Sequence, residues 1–418
     1  VVAIGTVCSL LLVANVWPRV TTALCTLCFV SCVAALQDFS AYQSDGMLLE
    51  AGFLSIFFAP RGVRPGLGAS DPPSRASLFL LQWEWFRIYF ESGVVKLASG
   101  DPGWRNFTAM DEYYQNGPFP TWIGWYVQHF PHWYHAMTVG ITLGVELVIV
   151  WALFLPRTFR ILCFIVVTAL QIGIIATANY AFLNYLVLAL GVLLLDDAVF
   201  ERRRVRGWAV AQAERARRGA SDVAVWTRAI VLSWVFLATL PPFVSPSGSM
   251  DFPSLLALPM RTLEPFRIAN QYGLFAVMTP ARYEIEFQGT RDGVTWIAYP
   301  FRYKPQDLRT PPSIFAPYQP RFDWNLWFAS LAPWQQSPWV VLVQARLLEN
   351  DPAVLSLFRG NPFAGTPPTQ VRTVLWQYWF TTEATKRATG MWWRRTLVGP
   401  FSGTLVRTPD GRMMLQSP

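Results

Sequence analysis

The chain has 418 residues, of which 53% are hydrophobic and 14% charged, well below the roughly 25% charged content of an ordinary soluble domain. Length alone suggests two or three soluble domains, but the composition overrides it and points to a polytopic membrane protein with a more polar C-terminal part. The net charge of +8 does not indicate a nucleic-acid groove, because the arginines gather at the ends of apolar runs and in one loop, as membrane topology requires.

In chain order, about eight apolar segments are expected, near 1–16, 20–37, 46–59, 77–97, 134–155, 159–177, 179–195 and 224–244. Most approach the 20 or so residues that span a bilayer. The first begins at Val1, inside an apolar run, and is expected to be truncated. Segment 46–59 is short for a span. Arg19 follows the first segment, Arg61, Arg64 and Arg75 the third, Arg157 and Arg160 the fifth, and the arginine-rich run 201–218 the seventh. The alternate loops 38–45, 98–133 and 178–184 hold a single arginine, Arg105. The positive-inside rule therefore predicts cytoplasmic arginine-rich loops if 46–59 crosses fully, with 98–133 and everything after 245 on the opposite side.

The expected fold is an α-helical polytopic membrane domain over 1–245, with an aromatic non-cytoplasmic loop at 98–133. A C-terminal mixed α/β module with a small antiparallel sheet follows over 246–418. In that module, "ARYEIEFQGTRDGVTWIAYPFRYKP" alternates apolar and polar residues around a turn at Asp292-Gly293, which predicts a β-hairpin. "PWVVLVQARLLENDPAVLSLF" has helical spacing interrupted at Pro352, and "VRTVLWQYWFTT" predicts a further strand.

Within segment 77–97, Glu84, Arg87 and Glu91 fall on one helical face at spacings of three and four. Charges inside a membrane helix point to function by default; the competing role is a self-neutralising ladder. Glu50 and Glu146 are further carboxylates in apolar segments, each able to pair with Arg87 or Lys96. Only three of the 34 basic side chains are lysines, Lys96, Lys304 and Lys386. Lys96 closes the fourth segment and is expected to pin the following loop through Asp101, Asp111 or Glu91, or to act as a base with a desolvated ammonium.

Loop 98–133 is dense in aromatic residues and proline. Tyr113, Tyr114, Trp122, Trp125, Tyr126 and Trp133 are candidates for binding a partner, as a lid or docking surface rather than an interfacial belt alone. His129, His132 and His135 are the only histidines. Pro131 argues against a regular helix through them, and no metal site is expected. The five cysteines, Cys8, Cys25, Cys28, Cys32 and Cys163, lie in apolar segments and read as small buried hydrophobes. No nucleotide-binding, hydrolase or metalloprotease motif is present.

The stretches "MLLEAGFLSIFFAP" (47–60), "GVVKLASGDPGWRNFTAMD" (93–111), "NYAFLN" (179–184), "LLLDD" (193–197), "NQYGLF", "DGVTW", "FRYKP", "APYQPRFDWNLWFASL", "NPF" and "WWRR" resemble, in order, the lipase maturation factor family. The resemblance covers nearly the whole chain. It implies a non-enzymatic membrane scaffold or chaperone that binds a lipase-like client on the non-cytoplasmic face; eukaryotic members sit in the endoplasmic reticulum and bring dimeric lipases to their active state. It retains Lys96, Asp101, Trp104, Arg105 and Asp111. Where the family tends to carry His-Tyr-Glu-Thr-Gln-Pro, this chain has "YYQNGP" (113–118), which leaves open an accessory subunit of a bacterial membrane complex. A weaker similarity links the Lys96 region to the membrane domain of vitamin K-dependent gamma-carboxylase and implies a lysine base in quinone or lipid chemistry. No cofactor is expected, though a bound lipid or quinone fits that alternative; membrane lipids are the other expected partners. The preference for arginine over lysine and the short loops suggest a bacterial inner membrane with the C-terminal module in the periplasm.

Overall fold

The computed structural model describes residues 1–40, 42–66, 71–196, 222–245, 253–408 and 410–416. The arginine-rich run 201–218, on which the predicted topology partly rests, lies outside the described residues. In chain order the helices are α1 (Val2–Val13), α2 (Pro18–Leu36), α3 (Gln43–Phe58), α4 (Arg75–Ala98), α5 (Pro102–Arg105), α6 (Tyr113–Asn116), α7 (Trp122–Gln128) and α8 (His132–Leu147). They continue as α9 (Arg157–Thr177), α10 (Leu183–Gly191), α11 (Asp222–Val244), α12 (Ser254–Leu263), α13 (Arg321–Ala329), α14 (Trp339–Leu348), α15 (Pro352–Leu355) and α16 (Glu383–Thr389).

Local chemistry sets many of the helix starts. Ser74, Asp101, Thr121, Asp351 and Thr382 each accept a hydrogen bond from a first-turn backbone N–H of the helix that follows, which satisfies a donor the helix itself cannot. Pro131 and Pro156 immediately precede α8 and α9. Pro131 thus separates His129, at the end of α7, from His132 and His135 in the first turn of α8, as its fixed φ predicts.

The chain forms two compact units. Unit one comprises Val1–Thr108, Met137–Ile172 and Leu183–Met278; unit two comprises Ala109–Ala136, Gly173–Phe182 and Thr279–Pro418.

Unit one is helical. Among the described residues, four stretches are long and apolar enough to cross a membrane: Pro18–Ser40, His132–Phe154, Arg157–Thr177 and Val223–Val244. The expectation of about eight apolar segments is therefore met in part. The 12-residue α1 reaches only about 18 Å at 1.5 Å per residue, short of a hydrocarbon core of roughly 30 Å. At 24 residues α4 has the length, but its interior carries Glu84, Arg87 and Glu91. It is nonetheless the most enclosed helix, with Trp85, Phe86, Ile88 and Tyr89 all buried, and the core formed by α3, α8, α10 and α11 gathers on it. A helix buried on every side needs no polar face, so its few charges must find partners inside the protein.

Unit two is built on a six-stranded antiparallel sheet, in the order β2 (Ile297–Ala298), β1 (Arg282–Thr290), β3 (Gln370–Phe380), β5 (Thr404–Arg407), β6 (Met413–Gln416), with β4 (Trp393–Pro400) also pairing β3. The predicted hairpin is present, with Gln288 opposite Ala298. Its turn is held by Asp292, whose Oδ1 accepts from the amides of Val294 and Thr295, and Gly293 takes a positive φ of 74°. The predicted strand is β3, the longest, which faces β1 from Arg282↔Tyr378 to Thr290↔Gln370. Strand alternation sends Ile285 and Phe287 to one buried face, and Arg282, Glu284, Glu286 and Gln288 to the other. The helical stretch at 339–355 breaks before Pro352 into α14 and α15.

Two helical glycines, Gly93 and Gly144, differ in their surroundings. A Cβ on Gly93 of α4 would sit 2.9 Å from Glu146 Cβ and Leu147 Cδ2 of α8, whereas one on Gly144 of α8 meets nothing within 4 Å. Alanine is favoured over glycine in a helix by about 1 kcal/mol, so Gly144→Ala is expected to hold or raise the melting temperature in detergent. Gly93→Ala is expected to lower it, because packing outweighs propensity there. Equal melting temperatures for the two variants would show that this helix contact is not tight.

Candidate functional site

The buried charges of α3 and α4 converge on one irregular segment, residues 267–278. Arg87 is fully buried and pairs with Glu50 of α3, donates to the carbonyl of Asn270 at 2.8 Å, and lies 3.8 Å from Glu91. Its guanidinium also faces the Tyr272 ring at 5.1 Å. The other oxygen of Glu50 accepts the Tyr272 hydroxyl at 2.8 Å and both nitrogens of Asn270 at 3.2 Å. Glu91 accepts the backbone N–H of Tyr272 at 2.8 Å. Ser92 accepts from the amide of Leu274 at 3.1 Å. Both carboxyl oxygens of Glu84 are buried with no hydrogen-bond partner among the described residues, so the three-charge ladder is not a unit: Glu50, from another helix, replaces Glu84 as the partner of Arg87.

Lys96 continues the same seam one turn further along α4. It is 2% exposed and donates to Glu146 of α8 at 2.9 Å and to the carbonyl of Leu274 at 2.8 Å, with the Trp104 ring 5.1 Å away. Glu146 was among the carboxylates expected to be able to pair with Lys96; Asp101, Asp111 and Glu91, the other candidates, are engaged elsewhere. Asp101 caps α5 through Gly103 and accepts the amide of Met278 at 2.6 Å, Glu91 holds Tyr272, and Asp111 belongs to unit two, where it lies 3.0 Å from His132. Trp104 donates its indole N–H to the carbonyl of Phe275 at 3.0 Å. Arg105 donates to the carbonyl of Leu97 at 2.8 Å. Lys96, Asp101 and Trp104 therefore act together on 274–278, whereas Arg105 ties α5 back to α4.

In unit two, the aromatic candidates divide. Tyr113, Tyr114 and Trp125 are buried and belong to its core; Trp125 packs against Phe380 and Trp392. Trp122, Tyr126 and Trp133 are 46%, 44% and 65% exposed and are the members available to a partner. The three histidines are used separately. His129 bridges the carbonyls of Trp125 and Thr381 at 2.7 and 2.9 Å, His132 faces Asp111, and the His135 ring lies tilted at 45° to that of Tyr114, 5.6 Å between centres. No group of ligands suited to a metal ion occurs among the described residues.

Several hubs lay outside the expected set. Asn179, fully buried, accepts the amides of Phe315 and Ala316 at 2.9 and 3.1 Å and donates to the carbonyl of Ser313 at 2.8 Å. Arg282 donates to the carbonyls of Gln115, Gly117 and Pro118. Glu284 lies 2.5 Å from both Arg282 and Lys304. Burial pushes the Lys304 ammonium down against the pull of Glu284, and pushes the Asp323 carboxyl up to about 6 against the pull of Lys304. The signal for most of these was in the sequence: Asn179, Asn270, Tyr272, Lys304 and Asp323 all lie in the motifs "NYAFLN", "NQYGLF", "FRYKP" and "APYQPRFDWNLWFASL". "NQYGLF" belongs to unit one, not to the outer module.

The helical unit, with four helices able to cross a bilayer and charges buried in a seam, defines an integral membrane protein that also carries an antiparallel β unit. Residues 1–202 match the family model "Lipase maturation factor transmembrane domain" and residues 268–403 match "Lipase maturation factor C-terminal domain". The chain is 31% identical to lipase maturation factor 1 of Mus musculus over 91% of this chain and 69% of that protein. It is 29% identical to lipase maturation factor 1 of Bos taurus over 96% and 74%, and 28% identical to lipase maturation factor 2 of Homo sapiens over 89% and 67%. The chain belongs to the lipase maturation factor family. No solved structure matches it. These relatives are mammalian and give no support to a bacterial inner membrane.

Removing Arg87 alone leaves Glu50 and Glu91 buried without their cation. Arg87→Ala is expected to destabilise the protein by roughly 3–5 kcal/mol, read as a lost or strongly lowered thermal transition in detergent. Replacing Glu50, Arg87 and Glu91 together by Gln, Met and Gln is expected to cost less. A stable Arg87→Ala protein would overturn the structural role assigned to the pair.

Proposed function

We propose that the chain is a non-enzymatic membrane scaffold that binds a lipase during its maturation, through unit two on the non-cytoplasmic face. One observation carries the proposal: unit two collects residues 109–136, 173–182 and 279–418, drawn from the regions that the arginine asymmetry predicts to be non-cytoplasmic. α8 begins and α9 ends in this unit, while the rest of each helix belongs to unit one. The exposed Trp122, Tyr126 and Trp133 supply the large, rigid apolar contacts typical of protein-binding surfaces. That the relatives are named lipase maturation factors supports a lipase as the client class. No cofactor is invoked.

The position of Lys96 favours a structural role over a catalytic one. Its ammonium is held by Glu146 and the Leu274 carbonyl, and the side chain is 2% exposed. A base must reach the proton it removes, and this one is enclosed.

Co-expression with a secreted triglyceride lipase tests both points. The chain is expected to raise lipase activity per unit of secreted lipase, and joint alanine substitution of Trp122 and Trp133 to remove that gain while leaving the melting temperature unchanged. Lys96→Met is expected to destabilise the protein by stranding Glu146, and Lys96→Met with Glu146→Leu to restore both stability and lipase yield. A stable double variant without lipase yield would return Lys96 to chemistry. No gain from the unaltered chain would end the lipase proposal.

A further inference from the structure

Unit two contains a cavity of about 540 Å³ between the charged face of the sheet and the segment 300–313. Five cations line it, Arg282, Arg302, Lys304, Arg359 and Arg395, against two carboxylates, Glu286 and Asp307. Most of the negative charge is already committed. Glu286 pairs with Arg395 at 3.0 Å and accepts from Gln288, Gln306 and Trp376 at 2.7–3.2 Å. Asp307 accepts from the amide of Arg309 and the hydroxyl of Thr310. Behind the wall, Glu284 serves both Arg282 and Lys304.

The cations are not matched in the same way. Arg302 and Arg359 have no carboxylate within ion-pair distance among the described residues; Arg302 donates from Nε to the carbonyl of Phe358 at 2.9 Å, and Arg359 donates to the carbonyl of Arg302 at 3.4 Å. The Nε of Arg282 is buried with no acceptor. A concave site of this size lies within the 300–1,000 Å³ range of ligand pockets, and a buried donor without an acceptor is costly unless a ligand supplies one.

We propose that this cavity binds an acidic, extended peptide segment, its carboxylates taken by Arg302 and Arg359. The proposal rests on unit two being the partner-binding unit and names the chemistry of the segment it takes. A peptide fits better than a lone anion, because the volume of about 540 Å³ far exceeds one carboxylate or phosphate. It fits better than an acyl chain, because the cations and polar side chains of the wall suit a charged ligand and not methylenes. Arginine is suited to the task through its bidentate geometry toward carboxylates.

The test uses the full chain purified in mild detergent and a fluorescein-labelled hexapeptide alternating Leu with Asp or Glu, read by anisotropy. Saturable binding is expected, weakening as salt is raised, with the Asn/Gln version of the peptide failing to bind. Arg302→Gln with Arg359→Gln, both at exposed positions, is expected to weaken binding at least about ten-fold, the equivalent of losing one charge-assisted hydrogen bond. Equal binding of the neutral peptide, an unchanged double variant, or full displacement of the peptide by millimolar inorganic phosphate or by dodecanoate would overturn the proposal. Capture of lipase by the same preparation is measured separately. Lipase capture without peptide binding removes the cavity site and leaves the scaffold function; peptide binding without lipase capture or lipase yield does the reverse.

Discussion

The segment 267–278 is the part of the helical unit on which the rest depends. It is irregular backbone packed against buried helices, where the buried amides and carbonyls must be satisfied by protein. Helix cannot do this, so side chains must. Glu50, Arg87, Glu91, Ser92, Lys96, Asp101 and Trp104 each make a hydrogen bond to backbone between Asn270 and Met278. The charges in α4 are thus the complement of a peptide strap. Ion pairing with Glu50 and Glu146 then neutralises the cations that the strap's carbonyls require.

The three lysines are used in a related way. Each of the three lysines meets a compact set of partners: Lys96 meets Glu146 and a carbonyl; Lys304 meets Glu284; and Lys386 sits 3.5–4.7 Å from the centres of the Trp392, Trp125 and Tyr126 rings while donating to the Tyr126 hydroxyl. An ammonium is a point charge that such enclosures accept, whereas a planar guanidinium needs a flat fork of acceptors. Arg282 and Arg87 show the converse, each spreading its nitrogens over several carbonyl or carboxylate oxygens.

The structure also separates two kinds of aromatic residue that composition treats alike. Around 113–133, the core of unit two and its exposed stripe are drawn from the same run of Trp and Tyr. Which ring belongs to which set follows from the helices that carry them. α7 turns Trp125 toward β3 and β4 and leaves Trp122 and Tyr126 facing outward. The histidines divide in the same way, each taken up by a different neighbour.

Residue order alone determined the membrane class, the positions of four spans, the hairpin at 282–298, the strand at 370–380 and the break at Pro352, because each follows from a local period or from a backbone rule of proline, glycine and aspartate. It also marked Glu50, Arg87, Lys96 and Glu146 as charges that had to be paired, since no membrane helix leaves them alone. Pairing itself was decided by tertiary structure. Of the candidates, Glu50 took Arg87 and Glu146 took Lys96, because helix packing, with Gly93 against α8, set which carboxylates came within reach. The strands after 393 are short or exposed in part on both faces and carry no clean alternation, and only their pairing along β3 and β5 made them visible. The strap at 267–278 was equally hidden: its order comes from partners some 180 to 220 residues away along the chain, and no local pattern encodes a contact of that range.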